Sequence, residues 1–172
     1  EQHADLYEVY ALTANNRWQE LAAQARKFQP AAVVIANESH YKELTEALSD
    51  QPNIKIYAGK EALNQIVEAE PINMVLTAMV GFSGLEPTIH AIQARKKICL
   101  ANKETLVVAG ELICKLAAEY HTPILPVDSE HSAIFQSLVG EDYDKIEKIL
   151  LTCSGGPFRL FDADRLKSVT AA

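Results

Sequence analysis

The chain has 172 residues, 48% of them hydrophobic, with 16 basic and 23 acidic side chains and a formal net charge of −7 at pH 7. That length fits one domain, or one domain and part of a second, and the apolar content is ample for a core. The acidic balance argues against a surface that grips a nucleic-acid backbone, no apolar run reaches membrane-spanning length, and the opening residues do not form a signal peptide.

Short apolar runs rich in β-branched residues fall at 6–12, 32–35, 54–57, 74–76, 98–100, 124–127 and 149–151. Between them lie segments of helical period. Trp18, Leu21, Ala22, Ala25 and Phe28 make one stripe, and Leu106, Ile113, Leu116 and Tyr120 make another. Strands that are apolar throughout and alternate with helices predict a parallel sheet covered on both faces. Right-handed crossovers make it a doubly wound, Rossmann-like α/β fold. Beyond Pro157 the alternation weakens. The stretch from Phe158 to Ala172 reads as a linker. Cys99, Cys114 and Cys153 are scattered and lack zinc spacing. They read as small core residues of a soluble, cytoplasmic protein in a reducing compartment.

In doubly wound folds, ligands collect at the carboxyl ends of the strands. The chemically loaded residues of this chain fall at those ends. The first corner, Asn15-Asn16-Arg17, has no acidic residue for a ribose 2′-hydroxyl, and its amides and cation suit a 2′-phosphate. A polar turn with a helix cap accounts for the same residues. Gly81 and Gly84 allow close approach of a flat ligand or simply a tight turn. Asn102-Lys103-Glu104 sets an amide, a cation and a carboxylate at a helix start. A lysine is disfavoured there by the helix dipole, which points to an anionic or carbonyl ligand; a solvated Lys103 with Asn102 as cap is the alternative.

Asp128-Ser129-Glu130 brings two carboxylates to a strand-to-helix corner. Hard oxygen donors converging there suit Mg²⁺ or Mn²⁺, whereas a simple helix cap would use Asp128 or Ser129 alone. Ser154-Gly155-Gly156 can present a hydroxyl and consecutive N–H groups to a phosphate. Metal, lysine, phosphate cradle and dinucleotide corner together suit reduction of a phosphorylated hydroxy-ketone. A metal-dependent phosphohydrolase and a non-catalytic cofactor-binding module are the alternatives.

Three stretches then carry a resemblance: Leu100-Ala101-Asn102-Lys103-Glu104-Thr105, Pro126-Val127-Asp128-Ser129-Glu130-His131, and Cys153-Ser154-Gly155-Gly156-Pro157-Phe158. With the sequence between them, they resemble the 1-deoxy-D-xylulose 5-phosphate reductoisomerase family. The resemblance implies a homodimeric enzyme that uses NADPH and Mg²⁺ or Mn²⁺ to convert 1-deoxy-D-xylulose 5-phosphate to 2-C-methyl-D-erythritol 4-phosphate. It implies an NADPH-binding domain over 1–122 and the start of an α+β catalytic domain over 123–172, with metal ligation by Asp128 and Glu130 and catalytic roles for Lys103 and Glu130. Substrate contacts fall to Lys103, Ser129, Glu130 and Ser154, with the phosphate on Ser154. Cofactor contacts fall to Asn102 and Glu104, and to Asn15, Asn16 and Arg17 beside the 2′-phosphate. At that corner the chain departs from the family's commoner Gly-Lys-Asn. The family also has a glycine-rich pyrophosphate loop ahead of residue 6 and a further catalytic half, neither of which is among these 172 residues. These residues by themselves are therefore expected to be inactive.

Overall fold

The computed structural model describes residues 3–151 and 156–170. They divide into two compact units, residues 1–129 and 130–172.

The first unit is built of parallel β-α repeats. Strands β1 (Ala11–Ala14), β2 (Ala32–Ile35) and β3 (Lys55–Ala58) form one three-stranded parallel sheet in that order. Strands β4 (Met74–Thr77), β5 (Lys97–Leu100) and β6 (Ile124–Pro126) form another. The expected parallel α/β class is met, with two short sheets in place of one continuous sheet.

β2 is apolar at every position because it is buried on both faces. Helices α1 (Trp18–Phe28) and α2 (Tyr41–Ala47) supply Leu21, Ala22, Ala25 and Leu44, which pack on Val33 and Ile35. Helix α3 (Lys60–Glu68) also contacts this sheet, while its Val67 joins a second core. That core holds Ala91 and Ile92 of α4 (Leu85–Gln93), Ile98 and Leu100 of β5, and Ile113 of α5 (Glu104–Glu119). The periodic stripes expected on α1 and α5 are the faces that pack. His90 on α4 meets Glu68 on α3, with Nδ1 2.6 Å from Oε1. Lys96, only 8% exposed, directs its ammonium to the carbonyl of Ala69 at 2.8 Å, closing the carboxyl end of α3.

The second sheet is covered on one face only. Met74 and Leu76 register with Lys97 and Cys99, and this row remains open, Leu76 being 61% exposed. Expected coverage of both faces thus holds for β2 and not for β4. Two predicted strands also shift. The first begins at Ala11 and not near Leu6, because Leu6 and Tyr7 lie exposed and only 11–14 pair with β2. Residues 149–151 form no strand; they are 55–79% exposed, and among the described residues no strand pairs with them. Cys99 is half-buried, but Cys114 is exposed on α5 and is no core residue. β6 hydrogen-bonds to β5 and lies within the first unit.

The second unit contains α6, which begins at the boundary (Ser129–Leu138), and the short α7 (Ala163–Lys167). Asp162 caps α7 by accepting from the Arg165 N–H at 2.8 Å. The Arg165 guanidinium lies 3.8 Å from the Phe161 ring centroid, and Phe161 meets Phe158 edge to face. Among the described residues, no helix is long and apolar enough to cross a membrane.

Candidate functional site

Parallel strands end at a common rim, and the corners after β1, β5 and β6 present polar residues there. At the end of β1, Asn15, Asn16 and Arg17 are exposed, and Arg17 occupies the cap position of α1 without a side-chain cap bond. Asn16 is held in place: its Oδ1 accepts from Asn37 Nδ2 at 2.8 Å, and the Asn37 N–H donates to the Asn15 carbonyl at 3.1 Å. Two amides and a guanidinium at this corner, with no carboxylate among the three residues, fit a phosphate better than a ribose diol.

Between β5 and α5 the chain turns sharply. The Ala101 and Asn102 N–H groups both donate to the Thr77 carbonyl, extending the ladder past β4. Asn102 is 2% exposed. Its Oδ1 accepts from the Thr105 N–H at 2.9 Å, so it caps α5 as a helix start requires. Lys103 and Glu104, the next two residues, are exposed at the rim.

At the end of β6 the Val127 N–H donates to the Leu100 carbonyl at 2.9 Å, which sets Asp128 beside the β5 corner. Here the side chain of Asp128, 10% exposed, faces the Lys103 ammonium with Oδ2 3.0 Å from Nζ. A largely buried carboxylate that already holds a cation has the donor chemistry a divalent ion needs. Among the described residues, no group of three or more His, Cys, Asp or Glu could hold a metal ion. Ser129 and Glu130 lie in the first turn of α6, with Glu130 the first residue of the second unit. Ser154 lies outside the described residues.

The structure therefore brings Lys103 and Asp128 together, and places Asn15 to Arg17 and Asn102 to Glu104 at strand ends. It also exposes a feature that residue types alone did not single out: the Met79 and Gly81 carbonyls both accept from Asn102 Nδ2, the latter at 3.0 Å. The glycines at 81 and 84 were the available signal. A hollow of about 480 Å³ lined by Cys114, Ala117, His121, Thr122 and Pro123 lies at the amino end of β6, away from this chemistry.

A family model described as 1-deoxy-D-xylulose 5-phosphate reductoisomerase matches residues 1–110, and one for the C-terminal domain of that enzyme matches 124–172. The 1-deoxy-D-xylulose 5-phosphate reductoisomerase of Bacteroides thetaiotaomicron is 69% identical over 170 residues, covering 99% of this chain and 43% of that protein. The solved structure of the enzyme from Zymomonas mobilis in complex with NADPH is 39% identical, with a TM-score of 0.85 over 98% of this chain and 44% of that one. A reductoisomerase structure with NADPH, fosmidomycin and magnesium is 40% identical, with a TM-score of 0.75 over 78% of this chain and 33% of that one. The chain thus spans less than half the length of these relatives.

Proposed function

The chain belongs to the 1-deoxy-D-xylulose 5-phosphate reductoisomerase family, and we propose that it contributes the NADPH-binding rim and part of the metal and substrate site of such an enzyme. The reaction is the rearrangement and reduction of 1-deoxy-D-xylulose 5-phosphate to 2-C-methyl-D-erythritol 4-phosphate. The observation that carries the reading is the meeting of Lys103 with Asp128 at adjacent strand ends, 3.0 Å apart.

In this reading Asp128 and Glu130 hold Mg²⁺ or Mn²⁺. The metal supplies Lewis acidity toward the oxygens of the substrate. Lys103 donates hydrogen bonds to a substrate oxygen and offsets negative charge as it develops. Ser129 orients a substrate hydroxyl, and Ser154 with its glycines takes the phosphate. Asn15, Asn16 and Arg17 receive the 2′-phosphate of NADPH, which is why NADPH is preferred over NADH, and Glu104 faces its ribose. Relatives solved with NADPH and with magnesium support both cofactors. The protein acts in the cytoplasm as a homodimer, a state that light scattering of the intact protein checks. The net charge of −7 argues against a nucleic-acid partner.

The assay is NADPH consumption by the intact protein with 1-deoxy-D-xylulose 5-phosphate, with and without Mg²⁺. Activity that needs both metal and reductant is expected. Phosphate release without NADPH would replace the reading with a metal-dependent phosphohydrolase. Cofactor binding without any turnover would reduce it to a binding module.

A further inference from the structure

Asn102 uses every hydrogen-bonding position of its side chain inside the fold. A carboxamide offers two N–H donors and two acceptor lone pairs. Here Oδ1 accepts from the Thr105 N–H at 2.9 Å and from Thr105 Oγ1 at 2.6 Å. Nδ2 donates to the Met79 carbonyl and to the Gly81 carbonyl. With 2% exposure and no spare donor, this side chain reaches no ligand without giving up an internal bond.

Those bonds have a consequence for the loop after β4. In a trans peptide the C=O and N–H point in opposite directions. Turning the Met79 and Gly81 carbonyls inward onto Asn102 therefore aims the N–H groups of Val80 and Phe82 away from it. The Val80 carbonyl is occupied as well, accepting from Ser83 Oγ at 2.9 Å. Gly81 adopts φ +69, the left-handed region that lets this reversal form. The loop's side chains do not bury it: Val80 is 88% exposed and Phe82 67%. Gly84 lies directly against the staple: a Cβ there would stand 3.4 Å from Asn102 Cγ, in ordinary contact.

We propose that Asn102 is a positioning residue for the cofactor: it pins the loop after β4 so that the Val80 and Phe82 N–H groups face the strand-end rim and receive acceptor oxygens of NADPH. The proposal deepens the NADPH reading and rests on it. Helix capping alone does not explain the arrangement, because the cap uses Oδ1 and the loop uses Nδ2.

That division supplies the test. Asn102→Asp keeps the capping oxygen and removes both loop donors. Val80→Pro removes one N–H at a residue whose φ of −88 is close to what proline adopts. Both variants are made in the intact protein, and NADPH affinity is read by fluorescence titration. Each is expected to weaken NADPH binding about tenfold or more, with Mn²⁺ affinity held within about twofold. NADPH affinity equal to the parent's in either variant would overturn the proposal, as would a parallel loss of Mn²⁺ affinity and thermal stability in Asn102→Asp. A parent protein that binds Mn²⁺ but no NADPH would bring down the cofactor reading together with this one.

Discussion

The ammonium of Lys103 stands 3.0 Å from Oδ2 of Asp128, across the carboxyl ends of the adjacent parallel strands β5 and β6. Its own helix disfavours a cation at that place, because the α5 dipole is positive there. The buried carboxylate of the neighbouring corner offsets that cost. Were Asp128 to hold a divalent ion as proposed, the ion would compete with Lys103 for the carboxylate and leave the ammonium available to a substrate oxygen. Lys103→Met is therefore expected to bind Mn²⁺ several-fold more tightly without substrate, yet to lose turnover on the order of a hundredfold. Electron paramagnetic resonance of Mn²⁺ and steady-state kinetics check the two halves; weaker Mn²⁺ binding would contradict the exchange.

Arg26 and Asp50 tie α1 to the end of α2 through two hydrogen bonds of 2.6 and 2.7 Å. The Arg26 hydrogen bond, helped by one from Gln51, holds the Asp50 carboxyl down at about 2, against an ordinary value of 3.8. A depressed folded-state value stabilises the fold above the unfolded carboxylate's range, and this contribution is lost as pH falls through about 2. Asp50→Asn should lower the melting temperature at neutral pH, with the gap to the parent closing as pH drops from 3.8 toward 2. Thermal scans across that window measure it, and a gap independent of pH would exclude the mechanism.

Lys96 is a buried cation spent on structure. Its ammonium donates to the Ala69 carbonyl at 2.8 Å, beyond the last turn of α3, where the dipole is negative. Lys96→Met keeps the aliphatic length and removes the charged donor, leaving the Ala69 carbonyl only the bond it accepts from the Ile72 N–H at 3.0 Å. The expected loss is roughly 1.5–3 kcal/mol, as for a hydrogen bond to a charged group. Urea unfolding of the variant reads it directly.

Burial pushes the Cys99 thiol up and keeps it protonated, whereas Cys114 is exposed on α5. Thiol labelling of the native protein with peptide mapping is expected to modify Cys114 well before Cys99. Equal rates at the two would mean that β5 opens readily.

The strand Ala32–Ile35 was legible to the residue, because four consecutive apolar side chains fit only a position buried on both faces. The same criterion misled at residues 6–10 and 149–151. An apolar run becomes a strand when a neighbour supplies the ladder, and among the described residues none pairs with them. The stripes on α1 and α5 were legible because a 3.6-residue period is a local property of the chain. A single exposed face on the second sheet was not, since coverage depends on which helix crosses where.

Among the candidate site residues, those at the corners 15–17, 102–104 and 128–130 were singled out by the sequence alone, with the family motifs that contain two of these corners. Residue type and spacing carry that information, for strand ends and helix starts are written locally. That Lys103 touches Asp128, and that Asn102 spends its amide on the loop at 79–81, was decided only by the order in which β4, β5 and β6 lie side by side. Strand order emerges from burial summed over the whole unit, so no short stretch of residues encodes it.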